Sequence, residues 1–443
     1  MSTEVKLGIR HALRVLRPGP FRRYIIGSAI SDTGTWMQVM AQGYVMSTLT
    51  NKALMLGMAN LAAGLPMLLL TMVGGSAADR FDKRKILLVT QYVQIALAIS
   101  IGLLIMSGKI QINCLLLDHN SACAGIGYIL AFAVLLGISN SFEMPALNAL
   151  VPELVTRDEI QSAIAIDRAV FHGSRMVGPA LGGIFISASS AAVAFFFNAI
   201  SFVALIIALF TIPPRPRGTA EEEEKRTSGI KDGFRYVAKD KPSLAMIGLI
   251  AATTVFIFPI ITVMMPLYVR LVLGLGADRL GFLMGASAVG SVIGAIFLIS
   301  IPREKRVPFM MVNVCIVTCA IFGLSWAPPF YIAMALLIFN SLGLAMNFGL
   351  ANTIVQERAP DYLRGRVSAV FLLSFVGLMP VAGLGITELS DLIGMPWALA
   401  IAAVCYGAIA LIVLARVRRQ CSQPALPETP STETPAPPVA AAV

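Results

Sequence analysis

Apolar runs separated by short polar segments make up most of this chain. A helix needs about 20 mainly apolar residues to cross a lipid bilayer, and twelve runs are of roughly that length. Because lipid cannot hydrogen-bond to peptide groups, each run predicts a membrane-spanning α-helix. The predicted spans lie near residues 22–48, 54–78, 85–107, 125–149, 163–188, 191–212, 243–270, 278–300, 308–327, 330–355, 367–389 and 396–416.

The composition points to the same class of protein. Of the 443 residues, 57% are hydrophobic and only 13% are charged, whereas about 25% of the residues in a typical soluble domain are charged. A soluble chain this apolar would expose large patches and aggregate. The first span does not resemble a cleaved signal peptide, because it is too long and contains Asp32. The sequence therefore predicts an all-α protein with twelve transmembrane helices.

The basic residues predict how the chain is oriented. With the spans laid out in order, 29 Lys and Arg side chains fall on the side of both termini and four fall on the other side. Connections rich in Lys and Arg stay in the cytoplasm, so we expect both termini there, in the cytoplasmic (inner) membrane of a bacterium. This asymmetry explains the net charge of +10, and no nucleic-acid partner is expected.

The longest polar interruption divides the spans six and six. We expect an N-terminal bundle over residues 1–212, a cytoplasmic linker over 213–242, a C-terminal bundle over 243–419 and a disordered tail over 420–443. Ile230, Phe234 and Val237 recur at helical spacing among basic residues of the linker, which predicts a short helix on the membrane surface. A solvated coil describes residues 218–228 equally well.

The two halves contain degraded internal repeats. Span four places Asn140 ahead of a connection with acids and bases, and span ten places Asn340 and Asn347 in the same relation. Two six-helix halves with weak internal symmetry are typical of secondary transporters, whose binding site lies between the halves. These amides either line the pathway or bridge neighbouring helices.

A charged motif, GGSAADRFDKRK, connects spans two and three. It resembles the loop signature of the major facilitator superfamily through Gly75, Asp79, Arg80, Lys83 and Arg84. The stretches ISDTGTWMQVMAQGYVMSTLT, SRMVGPALGG and YLRGRVSAV resemble the drug:proton antiporter branch, which also contains the enterobactin exporter. The resemblance covers nearly all of residues 20–418 and implies the major facilitator fold, with two pseudo-symmetric bundles.

The resemblance also implies a role for this connection in the transport cycle. Asp79, at the end of span two, would face the positive end of the span-eleven helix dipole, near Arg364 and Arg366. Together with Arg80 it would latch the two halves on the cytoplasmic side, and opening inward would break the latch. The alternative is that the bases only orient the protein, although orientation requires no acid.

Asp32 is a carboxyl about 15 Å into the first span, at a rise of 1.5 Å per residue. Ser28, Asp32, Thr35 and Gln42 lie on one polar stripe of that helix. An ionisable group inside the membrane is costly and is by default a candidate functional residue. Asp32 either exchanges protons during transport or is a neutral, hydrogen-bonded structural residue.

Other ionisable candidates lie in spans four and five. Arg175 and His172 share a face of span five, and Glu143 lies in span four. In the resembled superfamily spans one, four and five line the cavity, so Asp32, Glu143 and Arg175 are expected to form one cluster. The alternative is a static ion pair that holds the first bundle together, and His172 can equally be a packing residue.

Two further features concern structure. The sequence GPALGG contains Gly178, Pro179, Gly182 and Gly183, small and bending residues that allow close helix contact; it resembles the antiporter motif of exporters, and tight packing without directional meaning is the alternative. Cys114 and Cys123 fall in the one sizeable outer loop, where a disulfide is an open alternative to free thiols.

The expected function is secondary active transport. No phosphate-binding loop, metal-ligand spacing or nucleophile motif occurs in the sequence, so no enzyme activity, cofactor, metal or ATP is expected. We expect a monomer in membrane lipid that exports an amphipathic small molecule, such as a drug-like compound or siderophore, in exchange for protons by alternating access. An importer or uniporter, or a non-transporting sensor or scaffold, are the alternatives.

Overall fold

The computed structural model describes residues 13–110, 119–212, 230–298, 300–360 and 362–421. Over these ranges the protein consists of helices and short connections, and they contain no strand. The chain therefore has the all-α fold that the apolar runs predict.

The first half of the chain contains six long helices. They are α1 (Pro20–Leu49), α2 (Ala53–Arg80), α3 (Lys83–Met106), α4 (His119–Leu150), α5 (Ile160–Ala188) and α6 (Ala191–Phe210). Side-chain caps begin two of them: Asp82 accepts the backbone N–H of Arg84 at the start of α3, and Ser190 accepts that of Ala192 at the start of α6. Such caps satisfy N–H groups that have no partner within the helix.

The second half repeats this arrangement after a short linker helix. Its helices are α7 (Ile230–Lys239), α8 (Lys241–Phe256), α9 (Met265–Leu271), α10 (Ala277–Leu298), α11 (Arg306–Leu324), α12 (Phe330–Arg358), α13 (Arg364–Val376), α14 (Met379–Ile393) and α15 (Met395–Cys421). A π-helical turn, Ile260–Met264, joins α8 to α9. The linker helix α7 precedes the first long helix of this half.

Ten helical segments in the described ranges are long and apolar enough to cross a membrane. Two of these segments combine α8 with α9 and α13 with α14. The helices α1 and α5 are not among the ten, although they are 30 and 29 residues long. Polar and charged residues, including Asp32 in α1 and Arg175 in α5, interrupt their apolar character. The total of twelve spans therefore remains a prediction.

Two predicted spans change their winding part of the way along, although each remains a single candidate span, Lys241–Leu271 and Arg364–Ile393. The span predicted at 243–270 is interrupted after α8, where Pro259 and Pro266 flank the π-helical turn. The span predicted at 367–389 is interrupted after α13, just before Pro380. Proline has no backbone N–H, so it removes a helical hydrogen bond and favours a local change in winding.

The helices alternate in direction, so their connections fall at two ends of the bundle. We call the end with the charged α2–α3 connection the basic end and the opposite end the far end. Connections at the basic end are residues 81–82, 151–159, 299–305 and 359–363, and connections at the far end are residues 50–52, 189–190, 272–276, 325–329 and 394.

Glycine allows close approach between helices within the first half. A Cβ atom at Gly74 of α2 would overlap the carbonyl oxygen of Ser141 on α4, and a Cβ atom at Gly137 of α4 would overlap that of Ala63 on α2. Gly75, in contrast, has open space around it. The α2–α4 contact is therefore close at two levels, and only Gly74 of the paired glycines takes part in it.

Two seams join the halves, and both involve small residues. In the first, α5 packs on α10: an added Cβ at Gly183 would lie 2.5 Å from the carbonyl oxygen of Ala277, and one at Gly281 would overlap that of Pro179. Gly178 and Gly182 of the same motif instead face α1, where added Cβ atoms would lie 2.6 Å from Thr33 O and 2.8 Å from Met37 Cγ.

The second seam joins α2 to α14. An added Cβ at Gly64 would lie 2.5 Å from Pro380 Cγ, and one at Gly57 would overlap the hydroxyl of Thr387. The amide Nδ2 of Asn60 donates to the carbonyl oxygen of Met379 at 3.2 Å. Since Gly57, Asn60 and Gly64 lie in the half of α2 near the far end, and all of α14 lies in that half of the Arg364–Ile393 segment, this seam closes that end.

Candidate functional site

Asp32 lies on α1 among polar groups from two other helices. Its Oδ2 accepts a hydrogen bond from the hydroxyl of Ser28 at 3.0 Å. The charges of Asp167, Glu143 and Arg168 act on it from α4 and α5. The carboxyl is half-buried and forms no ion pair within the described residues. Asp32 and Glu143 thus lie within electrostatic range, with no hydrogen bond between them in the described residues, and their role as a cluster remains a prediction.

Glu143 is held by two glutamines of α3. Gln91 Nε2 donates to Glu143 Oε1 at 2.6 Å, and Gln94 Nε2 donates to Glu143 Oε2. Gln94 also donates to Asn140 Oδ1 at 3.1 Å, which gives Asn140 a place in the same network. Both carboxylate oxygens of Glu143 are thus satisfied by neutral donors rather than by a cation.

A second acid, Asp167, and its neighbour Arg168 lie on α5 about two helix turns before Arg175, towards the basic end. The hydroxyl of Tyr24, on α1, donates to Asp167 Oδ1 at 3.2 Å. Arg168 Nη2 donates to Asn148 Oδ1 on α4 at 2.6 Å. These contacts tie α1, α4 and α5 together at the level just below Asp32.

Arg175 does not reach either acid in this structure. Its guanidinium carbon lies 5.2 Å from the ring centre of Trp36, and within the described residues it forms no ion pair. Trp36 meets Phe171 edge-on at 5.6 Å, and Phe171 in turn meets His172. Arg175 therefore belongs to an aromatic group one turn beyond Asp32, and His172 lies exposed at the margin of that group.

Asn340 and Asn347 lie on a different surface from the N-terminal cluster. Both are fully buried. The amide of Asn340 has no hydrogen-bond partner in the described part of the chain, and Asn347 lies beside the hydroxyl of Tyr406 on α15. Gly343 lies between them on the same face of α12, and an added Cβ there would lie 2.8 Å from Val317 Cγ2 on α11. This face therefore packs inside the second half rather than towards the first.

The motif at the basic end is not engaged with α13. Asp79 and Arg80 are exposed, and among the described residues Asp79 forms neither a hydrogen bond nor an ion pair. Lys83 instead pairs with Glu153 at 2.8 Å, and Arg84 lies over the ring of Phe210. The first half therefore binds its own basic residues at this end.

The linker helix α7 occupies the basic end of the second half. Arg366 Nη1 pairs with Asp232 at 2.9 Å, and Arg364 contacts the carbonyl oxygen of Gln356. Arg358 donates from Nη2 and Nε to both oxygens of Asp240, at 2.6 and 2.8 Å. Burial alone would raise the pKa of Asp240, but the hydrogen bonds from Arg358 and Ser243 outweigh it and hold that pKa below its usual value.

Polar contacts reinforce both seams at the far end. The carboxylate of Asp391, near the end of α14, accepts the backbone N–H groups of Ala53 and Leu54 at the start of α2, at 2.7 and 2.9 Å. The hydroxyl of Ser187, near the end of α5, accepts the backbone N–H of Asp278 at the start of α10, at 3.1 Å. In each case a residue of one half caps the first turn of a helix of the other.

The far end has one further contact between the halves. Arg270, near the end of α9, donates to the backbone oxygen of Thr50 at 3.0 Å and to Asn51 Oδ1 at 2.5 Å. Both acceptors lie between α1 and α2. The far end is therefore closed by contacts from three separate places in the second half.

Sequence reasoning missed several of these residues. Gln91 and Gln94 lie three residues apart in an otherwise apolar run. Their spacing places both on one helix face, which could have indicated a polar contact with a neighbouring helix. Asp391 lies in the last turn of a span, at the membrane surface, where charged residues are common and give no signal of a special role. The choice between a disulfide and free thiols falls outside the described residues, since Cys114 and the side chain of Cys123 are not among them. No cluster that could hold a metal ion occurs among the described side chains.

Known proteins similar to this chain are membrane transporters. The chain is 24% identical to the staphyloferrin A transporter of Staphylococcus aureus, over 82% of this chain and 87% of that protein. It is 25% identical to the multidrug efflux pump Tap of Mycobacterium tuberculosis, over 89% and 93%. It is 24% identical to the enterobactin exporter EntS of Shigella boydii, over 92% and 95%.

The structure and the family assignment agree with these relatives. The fold matches the crystal structure of a point mutant of the nucleoside transporter NupG with a TM-score of 0.70 and 11% identity, over 91% of this chain and all of that one. The family described as transmembrane secretion effector matches residues 11–443. The chain therefore belongs to the transmembrane secretion effector family of major facilitator transporters.

Proposed function

We propose that this chain exports an amphipathic small molecule in exchange for protons. The observation that carries the proposal is the pair of carboxyls Asp32 and Glu143, which lie in the membrane-spanning part and are bound by neutral donors. A permanently charged carboxylate without a cation is costly in this environment. The cost falls when the group binds a proton, so such a pair suits a site that alternates between charged and neutral forms.

The direction of transport is inferred from the relatives. Tap is named a multidrug efflux pump and EntS an enterobactin exporter, and both align with most of this chain. Their names support export of an amphipathic organic molecule. The aromatic group around Trp36 and Arg175 would bind the substrate next to the acids, since a ring face attracts cations and also packs on apolar surface.

Alternating access is supported by the unequal contacts at the two ends. The far end is closed by both seams and by Asp391, Ser187 and Arg270. At the basic end Asp79 has no partner in the described residues, while α7 binds the second half alone. With the basic end in the cytoplasm, this arrangement corresponds to an inward-facing state, and the Asp79 latch would form when the transporter faces outward.

Flux in proteoliposomes tests the proposal. The protein is reconstituted in one orientation, and the vesicles are loaded with a panel of fluorescent amphipathic dyes. Dye movement across the membrane is then followed with and without an imposed pH gradient. Asp32→Asn should abolish gradient-driven movement while the protein still inserts and binds dye. The matched control is Glu304→Gln, because Glu304 is an exposed acid at the basic end.

Full pH dependence in Asp32→Asn would reject the coupling role, and gradient-driven uptake in the opposite direction would reject export.

A further inference from the structure

The surroundings of Glu143 contain few charges. Of the helices packed against α4, α2 carries no ionisable side chain before Asp79, and after Lys85 α3 carries only Tyr92, which is exposed. On α1 the charged side chain beyond Arg22 and Arg23 is Asp32, which lies within electrostatic range of Glu143; Tyr24 is bound to Asp167 on α5. On α5, which is joined to α4 by the Arg168–Asn148 hydrogen bond, the titratable side chains are Asp167, Arg168, His172 and Arg175. Within the described residues Glu143 forms no ion pair, so its hydrogen-bond partners determine how it is held.

The two glutamines that bind Glu143 differ in how freely their terminal amides can rotate. Gln94 Nε2 has three acceptors within reach, namely Ser139 at 3.3 Å, Asn140 at 3.1 Å and Glu143. Turning its amide would place Oε1 against the acceptor Asn140 Oδ1, so that hydrogen bond would be lost. Gln91 Nε2 has only Glu143, and Gln91 Oε1 is buried with no partner in the described part of the chain. Gln91 is itself fully buried.

A buried carbonyl oxygen without a partner is unfavourable and uncommon. A carboxyl that binds a proton turns from a pure acceptor into a donor, and its O–H then needs an acceptor. Gln91 offers one at the same place, because half a turn of its terminal amide exchanges Nε2 for Oε1. The exchange sacrifices no other hydrogen bond of Gln91.

We propose that Gln91 is a positioning residue that binds Glu143 in both of its protonation states. Its amide nitrogen donates to the ionised carboxylate, and after rotation its amide oxygen accepts from the protonated carboxyl. Gln94 meanwhile keeps the carboxyl in place with a fixed donor. This inference rests on the proposed function in one respect, since it requires that Glu143 bind a proton under some condition.

The test needs no substrate. Infrared difference spectra are recorded on the full-length protein in lipid as the pH is lowered. A carbonyl band of a protonated carboxyl should appear in the native protein and be missing from Glu143→Gln, which identifies it as Glu143. In Gln91→Met, which has similar length but no amide, the band should move to higher frequency, because the carboxyl O–H has lost its acceptor.

Gln38→Met is the matched control, because Gln38 is also buried in the first half but is bound to Asn198 of α6 at 2.9 Å. In Gln38→Met the frequency of the Glu143 carbonyl band should be unchanged. Gln91→Asn, which keeps the amide on a shorter side chain, should also displace the band and provides a second variant if the Met variant folds poorly. An unmoved band in both Gln91 variants overturns the inference, as does a native spectrum that Glu143→Gln leaves unchanged. If the band behaves as expected but the protein shows no gradient-driven flux, the positioning role of Gln91 is supported and the proposed transport function is rejected.

Discussion

The carboxylate of Asp391 accepts the backbone N–H of Ala53 at 2.7 Å, so a residue near the end of α14 caps the start of α2 across the boundary between the halves. In the proposed transport cycle this contact would be lost when the far end opens. It would therefore contribute to the relative stability of the proposed inward-facing state, in addition to any effect on folding.

Asp391→Ala should shift the protein towards the outward-facing state. A helix cap with a carboxylate contributes about 1 kcal/mol, which is roughly a fivefold change in the ratio of the two states, and less in high salt because Asp391 is exposed. Distances between spin labels at positions 107 and 326, in a cysteine-free background, report opening of the far end. Glu388→Gln, an exposed acid one turn away, should leave the distances unchanged.

Gly281→Ala should weaken the α5–α10 seam. The added methyl would overlap the carbonyl oxygen of Pro179. Because this oxygen belongs to the backbone of α5, it can move away only if α5 and α10 separate. We expect the same spin-label distances to lengthen and the melting temperature to fall by several degrees, as for overpacking that costs about 1–3 kcal/mol. Gly385→Ala is the control, since an added Cβ there meets nothing within 4 Å.

Asp240→Asn should release the linker helix in a pH-dependent way. The pKa of Asp240 is lowered in the folded protein, so its contribution to stability is present above its unfolded pKa of about 3.9 and is lost as the pH falls through the lower folded value. At pH 7 the variant should melt about 2–4 °C below the native protein, for a loss of roughly 1 kcal/mol.

The comparison of the two proteins at low pH checks this explanation. As the pH falls through the lowered pKa of Asp240, the melting temperatures of the native protein and Asp240→Asn should converge, because the native carboxyl then loses its charge. A constant gap across the pH range would show that the carboxylate–Arg358 pair is not the cause.

Trp36→Leu should weaken binding of cationic dyes without abolishing gradient coupling. The variant keeps apolar volume but removes the ring face against which Arg175 lies at 5.2 Å, and a cation–π contact contributes about 1 kcal/mol. Dye affinity measured by fluorescence should fall roughly fivefold. Unchanged affinity, or a complete loss of coupling with normal affinity, would contradict the assignment of Trp36 to substrate binding.

The positions of the spans could be predicted from the sequence because length and apolar character determine them. The predicted span at 54–78, for example, corresponds to Ala53–Arg80. The changes in winding near Pro259 and Pro380 were not predicted, since proline in a membrane helix is compatible with a kink, a break or a continuous helix. Only the neighbouring helices decide among these.

The site was only partly predictable for a related reason. A charge in lipid is conspicuous, so Asp32 and Glu143 could be chosen from the sequence. Their partners depend on how each helix is rotated about its axis, which residue spacing within one helix does not reveal. Arg175 consequently lies against Trp36 rather than an acid, and the uncharged Gln91 holds Glu143.

The caps of the two seams are chemically unequal, with a carboxylate on α2 and a neutral hydroxyl on α10. An ionised cap interacts with the helix dipole and a hydroxyl does so far more weakly. As the far end opens, Ser187 and Asp278 should therefore separate before Asp391 releases α2. The first passage to the outside would then lie between α5 and α10, on one flank of the molecule, and a departing substrate would leave sideways before the exit widens around its full circumference.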